Sequence, residues 1–154
     1  MGYRHYTTRL LPTLFPFGHG LSYTTFAYSD LSFNSTPGVL SPPAKLKFTV
    51  RVENTGSYTA SEVIQVYVSP PVTTAVFRPA LELQAFQKVQ NLRPGESREV
   101  RFELDKYAVS YWDDAQQKWV AEAGEYGVHV AASVEDIRLR GSFKVVDTFT
   151  WEGL

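Results

Sequence analysis

Six carboxylates, Asp113, Asp114, Glu122, Glu125, Glu135 and Asp136, crowd one stretch of the chain, and three large aromatics, Tyr111, Trp112 and Trp119, stand beside them. Carboxylates in pairs can serve as general acid and base. All six, however, sit next to turns or strand ends, where an acid ordinarily caps a turn or faces water. The three rings combine apolar area with polar handles, so they could form a platform for the flat faces of a polysaccharide or for lignin rings. The plainer alternative is packing, either closing one end of the fold or meeting a neighbouring domain, because large aromatics are mostly well buried. The histidines, His5, His19 and His129, are too scattered for a sequence-local metal pair, and no metal site or cofactor is expected. His19 lies between two glycines and reads as a packed ring or as one in contact with a neighbouring domain. His129 alternates with Val128 and Val130 and is expected to face the sheet exterior. Asn34-Ser35-Thr36 is a glycosylation sequon followed directly by Pro37.

Composition narrows the classes. The chain has 154 residues, 44% of them hydrophobic, which fits one domain with a single sizeable core. Its formal charge is −1 with acids and bases interleaved, so no strong field for nucleic acid or an anionic membrane is expected. Lys88, Arg98, Arg101, Arg138, Arg140 and Lys144 are spread over several strands and read as a solvated sheet face. There is no cysteine, which removes disulfides and thiol chemistry. No uninterrupted apolar run approaches the roughly 20 residues of a membrane span, and no basic-then-apolar signal pattern opens the chain. Met1 directly before Gly-Tyr-Arg reads as a start set on an excised piece.

The elements that must position these residues are strands. In residues 12–23, PTLFPFGHGLSY, two prolines and two glycines forbid a helix, while Leu14, Phe15, Phe17, Leu21 and Tyr23 are too apolar to be left in water. An irregular segment pinned to a core is expected. Phe26 and Tyr28 share one strand face, but Leu31 and Phe33 have the opposite parity, which predicts a bulge near Ser29 and Asp30. Residues 34–44 read as a loop. From Lys45 to Glu53 the alternation is complete, with Leu46, Phe48, Val50 and Val52 on the buried side. Asn54-Thr55-Gly56 supplies a turn, and Ile64, Val66 and Val68 define a strand ended by Pro70-Pro71. Leu81 and Leu83, then Phe86 and Val89, break period two and suggest two short pieces. Val100, Phe102 and Leu104 mark another strand, and residues 107–120 fit a small hairpin turning at 114–117. Tyr126, Val128 and Val130 share a face, and Ile137, Leu139, Phe143 and Val145 lie on the last strand or strand pair. About seven short strands with almost no helical period predict an all-β, two-sheet antiparallel sandwich with an irregular N-terminal extension. Tyr126 sits where such sandwiches place a corner tyrosine.

The run FPFGHGLSYT, with RVENTGSYTASEVIQVYV at 51–68, RPALELQAFQKV at 78–89, LRPGESREVRFELD at 92–105, YAVSYWD at 107–113 and AGEYGVHVAASVEDIRLRGSF at 123–143, closely resembles the C-terminal fibronectin III-like domain of family 3 glycoside hydrolases. The ending DTFTWEGL resembles fungal members that carry a PA14 insertion. The resemblance implies a parent β-glucosidase that retains configuration using an aspartate nucleophile and a glutamate acid/base. In that family both lie in the two preceding domains, and no stretch here matches them, so the catalytic residues are expected to be none in this chain. It also implies an extracellular enzyme by default, although some members of the PA14 subgroup lack a secretion signal.

The expected organisation is an N-terminal extension at 1–20, a fibronectin III-like sandwich at 21–146 and a loose or docked tail at 147–154. The expected role is an accessory, stabilising one. Tyr3, Tyr6, Leu14, Phe15, Phe17 and His19 would pack against the preceding catalytic domains. The rival is a module adsorbing polysaccharide or lignin through Tyr111, Trp112 and Trp119.

Overall fold

A computed structural model describes residues 2–35, 38–43 and 45–153. The chain begins with a short helix, α1 (Tyr3–Arg9), and continues as strands β1 (Phe26–Phe33), β2 (Gly38–Leu40), β3 (Leu46–Asn54), β4 (Ala60–Ser69), β5 (Glu82–Leu92) and β6 (Ser97–Leu104). A 3-10 turn at Lys106–Ala108 leads to β7 (Tyr111–Asp113), β8 (Lys118–Ala121), β9 (Gly124–Ser133), β10 (Asp136–Val145) and β11 (Phe149–Trp151). Two sheets form the sandwich, one in the order β1-β3-β6 and one in the order β2-β10-β9-β4-β5. A third, small sheet, β11-β8-β7, stands at one end.

The core lies between the two large sheets. Strand β3 alternates buried and exposed residues along its length, as a strand covered on one side must, and it sets Phe48, Val50 and Val52 against Ile64, Val66, Val128 and Val130. Phe48 stacks on Phe102, and Tyr126 stacks on Phe143. The parity change in β1 is a bulge, with the register shifting between Ser29 and Ser32 and Asp30 at φ 55°.

Three details differ from the sequence reading. The N-terminal extension is not wholly irregular, because Tyr3–Arg9 is helical. Its seven residues have no side-chain N-cap, and contacts made elsewhere hold it: Leu83 N–H donates to Tyr3 Oη at 2.7 Å, and Ala80 N–H donates to Thr8 Oγ1 at 2.9 Å. Within the stretch read as a loop, β2 runs parallel to β10. Strand β5 is continuous, and one register shift opposite Val66 and Tyr67 accounts for its broken period. The tail, read as loose or docked, is docked, with β11 antiparallel to β8.

Two buried polar side chains tie the sandwich together. Tyr126, fully buried at the start of β9, directs its hydroxyl to Glu122 O at 3.0 Å and Val109 O at 3.3 Å, which is the corner arrangement. Asn54, read from sequence as a turn residue, is also fully buried. Its amide donates to Tyr58 O and Leu92 O, both at 2.8 Å, and its oxygen accepts from Thr24 Oγ1 at 2.6 Å and Gly56 N at 3.1 Å. Because removing a buried partner strands those it leaves, Asn54→Ala is expected to cost about 3 kcal/mol and Tyr126→Phe about 1 kcal/mol in urea unfolding. Equal small effects would contradict this ranking.

Candidate functional site

Strand β4 is buried at five consecutive positions, Ile64 to Val68, which requires cover on both faces. The inner face meets the sandwich core. The outer face, with Tyr67 and Ala131 buried beside Leu81 and Val134, is covered by α1 and by the strap that follows it, residues 10–23. Tyr3 lies edge-on to Tyr67 at 6.0 Å and stacks on Phe17 at 4.5 Å.

Backbone bonds then pin the strap. Val134 N–H donates to Phe17 O at 3.0 Å, and Gln65 Nε2 donates to Ala132 O at 2.6 Å and Gly18 O at 3.4 Å. Tyr67 completes the node by donating its hydroxyl to Gln65 Oε1 at 2.6 Å. Gly18 adopts φ 82°, and a Cβ there would lie 2.2 Å from Gln65 Oε1, so only glycine fits. The pinned strap presents its other side to solvent. Leu14 is 96% exposed, Leu21 94% and Tyr23 93%, and Leu10 and Phe15 are also bare.

The six residues read as packing surface therefore divide. Tyr3 is half-buried and turned onto its own sandwich, and Phe17 has one face against Tyr3. Tyr6, Leu14, Phe15 and His19 are exposed, with His19 5.5 Å from the Phe15 ring. His129 lies on the outer sheet face, opposite Val128 and Val130 as the alternation requires, but its ring is half-buried there, with Nε2 3.0 Å from Ser69 Oγ. Burial pushes its pKa down. No group of three or more potential metal ligands occurs among the described residues. Asn34 is exposed, while Thr36 of its sequon and the following Pro37 lie outside the described residues.

Four of the six carboxylates serve local structure, and Glu125 is exposed. Asp113 caps its turn by accepting from Ala115 N and Gln116 N, and these bonds hold its pKa below the usual range. Glu122 accepts from Ala75 N and Thr74 Oγ1, fixing the loop before β5. Glu135 accepts from Thr13, and Asp136 binds the Arg138 guanidinium through both oxygens at 2.6 and 2.7 Å. Beneath the end of the strap, Glu62 accepts from the Tyr28 hydroxyl at 2.9 Å. Burial raises the Glu62 pKa despite that bond and the nearby Arg138.

The aromatics form a cross-strand row rather than a plane. Trp112 pairs with Trp119, and Trp119 with Trp151, a residue the sequence reading left in the tail. Trp119 and Trp151 stack at 5.3 Å and 10°, whereas Trp112 and Trp119 meet at 71°, so they make no flat two-ring platform. Lys106 Nζ lies 3.9 Å over the Trp151 ring, and Trp151 Nε1 donates to Ser110 Oγ at 3.1 Å. Tyr111 instead faces the Arg78 guanidinium, 5.6 Å from its ring centre.

With this geometry in place, comparison with known proteins is decisive. Residues 62–134 match the model of the fibronectin type III-like domain. The whole chain aligns at 47% identity with probable β-glucosidase H of Emericella nidulans and at 45% with probable β-glucosidase I of Aspergillus fumigatus, spanning 18% of each. Among solved structures, β-glucosidase from Kluyveromyces marxianus in complex with glucose superposes with a TM-score of 0.88 at 43% identity, over 99% of this chain and 17% of that one. The Bifidobacterium adolescentis GH3 β-glucosidase gives 0.86 at 39%, over 96% and 21%. The chain contains a fibronectin type III-like domain, and along its whole length it is similar to one segment of these β-glucosidases. It spans about a fifth of the length of these β-glucosidases.

Two outcomes are expected of this fibronectin type III-like domain. Gly18→Ala should release the strap, seen as faster amide exchange at Val134 while the β9 amides inside the sandwich stay protected; unchanged exchange would contradict the pinning. For Glu62, the folded pKa lies above the unfolded one, so its contribution is fully present below the ordinary carboxylate range and is lost as pH rises through the folded value. Glu62→Gln should remove that segment of the pH–stability profile, and a wild-type-like profile would count against it.

Proposed function

We propose that this chain is a non-catalytic accessory domain of a family 3 β-glucosidase, docked to the rest of the enzyme by the outer side of its strap. The reading is carried by one observation. The strap is ordered from beneath by Gln65, Val134 and Tyr3, yet Leu14, Phe15, Leu21 and Tyr23 project from it with nothing over them. An ordered, bare apolar ridge of this kind marks an interaction surface. Fully burying each of these side chains would contribute roughly 1.5–3 kcal/mol before ordering costs. The partner in this reading is the pair of preceding domains, which would also supply the catalytic aspartate and glutamate. Asp113, Glu122 and Asp136 of this chain instead hold a turn, a loop and an arginine.

Leu14→Asp with Phe15→Asp is expected to lower the thermal midpoint of the complete β-glucosidase by several degrees while leaving that of the isolated chain unchanged. A change of roughly 1 kcal/mol already moves a domain of this size by about 2–8 °C. An unaltered complete enzyme would contradict the docking. Turnover of a chromogenic β-glucoside by the isolated chain would contradict the non-catalytic assignment.

A further inference from the structure

A cleft of about 540 Å³ opens between α1, the loop at 76–79 and the β7–β8 hairpin, within the roughly 300–1,000 Å³ common for ligand sites. Its walls differ in chemistry. One is charged: Glu82 holds Arg4 on Oε1 at 3.0 Å and Arg78 on Oε2 at 3.4 Å, and Arg78 is anchored by Val109 O at 2.9 Å. The other carries Trp112, which stands edge-on to Trp119 and is 42% exposed. Its indole N–H donates to Asp114 Oδ1 at 2.9 Å, which fixes the ring plane.

These walls select a ligand. Two guanidinium groups, Arg4 and Arg78, face three carboxylates, Glu82, Asp113 and Asp114, so the cleft has no surplus positive charge to favour an anion. A phenolic ring brings one hydroxyl to a wall of several charged groups and leaves most of them unpaired, which is unfavourable. A neutral polyol with one apolar face satisfies both walls, because its hydroxyls can accept from guanidinium and donate to carboxylate while its C–H face covers an indole. Gluco-configured pyranoses suit this best, since every ring hydroxyl is equatorial and both faces expose only C–H. A single usable ring face fits one sugar chain rather than a crystalline polymer surface.

We propose that this cleft binds the end of a neutral β-linked gluco-oligosaccharide, with one pyranose face on Trp112 and its hydroxyls on Arg4 and Asp114. The site involves neither the exposed ridge of the strap nor docking, so it stands or falls separately from the accessory reading.

The test is calorimetric and fluorescence titration of the 154-residue chain with cellotetraose. Saturable binding with a dissociation constant of order 1 mM is expected, together with a change in tryptophan emission. Trp112→Ala should weaken binding about tenfold and Trp112→Phe by less, a tenfold change being about 1.4 kcal/mol. Arg4→Ala, at a half-exposed helical position, should weaken it about fivefold and keeps the test usable if the Trp112 variants fold poorly. Tyr58→Ala, outside the cleft, should bind as wild type, and mannotetraose, with its axial hydroxyls, should bind less well. No saturable binding of cellotetraose would overturn the proposal. So would affinity that survives both Trp112→Ala and Arg4→Ala, or a preference for coniferyl alcohol over the sugar.

Discussion

The buried amide of Gln65 is the constraint on which the rest of the structure depends. It points out of the face of β4 opposite the sandwich core, and at 5% exposure it cannot be satisfied by solvent. Its oxygen accepts from Tyr67, and its nitrogen donates to Ala132 O and Gly18 O. Leaving such a group unpaired would cost about 1–3 kcal/mol. The strap must therefore lie where Gly18 can meet it. Glycine at 18 and the Phe17 carbonyl bonded to Val134 N follow from that one requirement.

A two-sheet sandwich thereby acquires a third layer. Sheet β2-β10-β9-β4-β5 has the core on one face and α1 with the strap on the other. That covering layer is too thin to bury its own outer residues. Its underside is fastened by backbone bonds, so the apolar ridge above it is held in one shape before any partner arrives, which reduces the ordering cost of association. The side sheet at the end of the sandwich is organised differently. Cross-strand pairing sets Trp112, Trp119 and Trp151 in one row, and the stacking of Trp119 on Trp151 leaves Trp112 as the ring that borders the charged cleft.

How much of this was legible in the sequence depends on how local each cause is. Strand β3 was readable because one buried face imposes strict alternation from Leu46 to Asn54. The bulge at Ser29 and Asp30 and the corner role of Tyr126 were likewise written in parity and position. Gln65 and Tyr67 were not readable. Their pattern is that of a solvated face, and they are buried by a segment more than 40 residues away. His129 sits on the outer face where alternation puts it, but it is half-buried beside Ser69 rather than solvated. Helix α1 has no N-cap and no buried face, so tertiary contacts of Tyr3, Arg4 and Thr8 decide it. Asn54 looked like turn chemistry because two of its four side-chain hydrogen bonds are local, to Tyr58 and Gly56, while the other two reach Thr24 and Leu92, far along the chain. Trp151 was hidden because three tail residues carry no period.

Hydroxyl-radical footprinting tests the central claim most directly, because it reads side-chain exposure residue by residue in both the isolated chain and the complete β-glucosidase. The account predicts fast modification of Leu14, Phe15, Leu21 and Tyr23 in the isolated chain, slow modification of Tyr67 in both, and strong protection of the first four in the complete enzyme. Equal modification of those four residues in the two samples would contradict it.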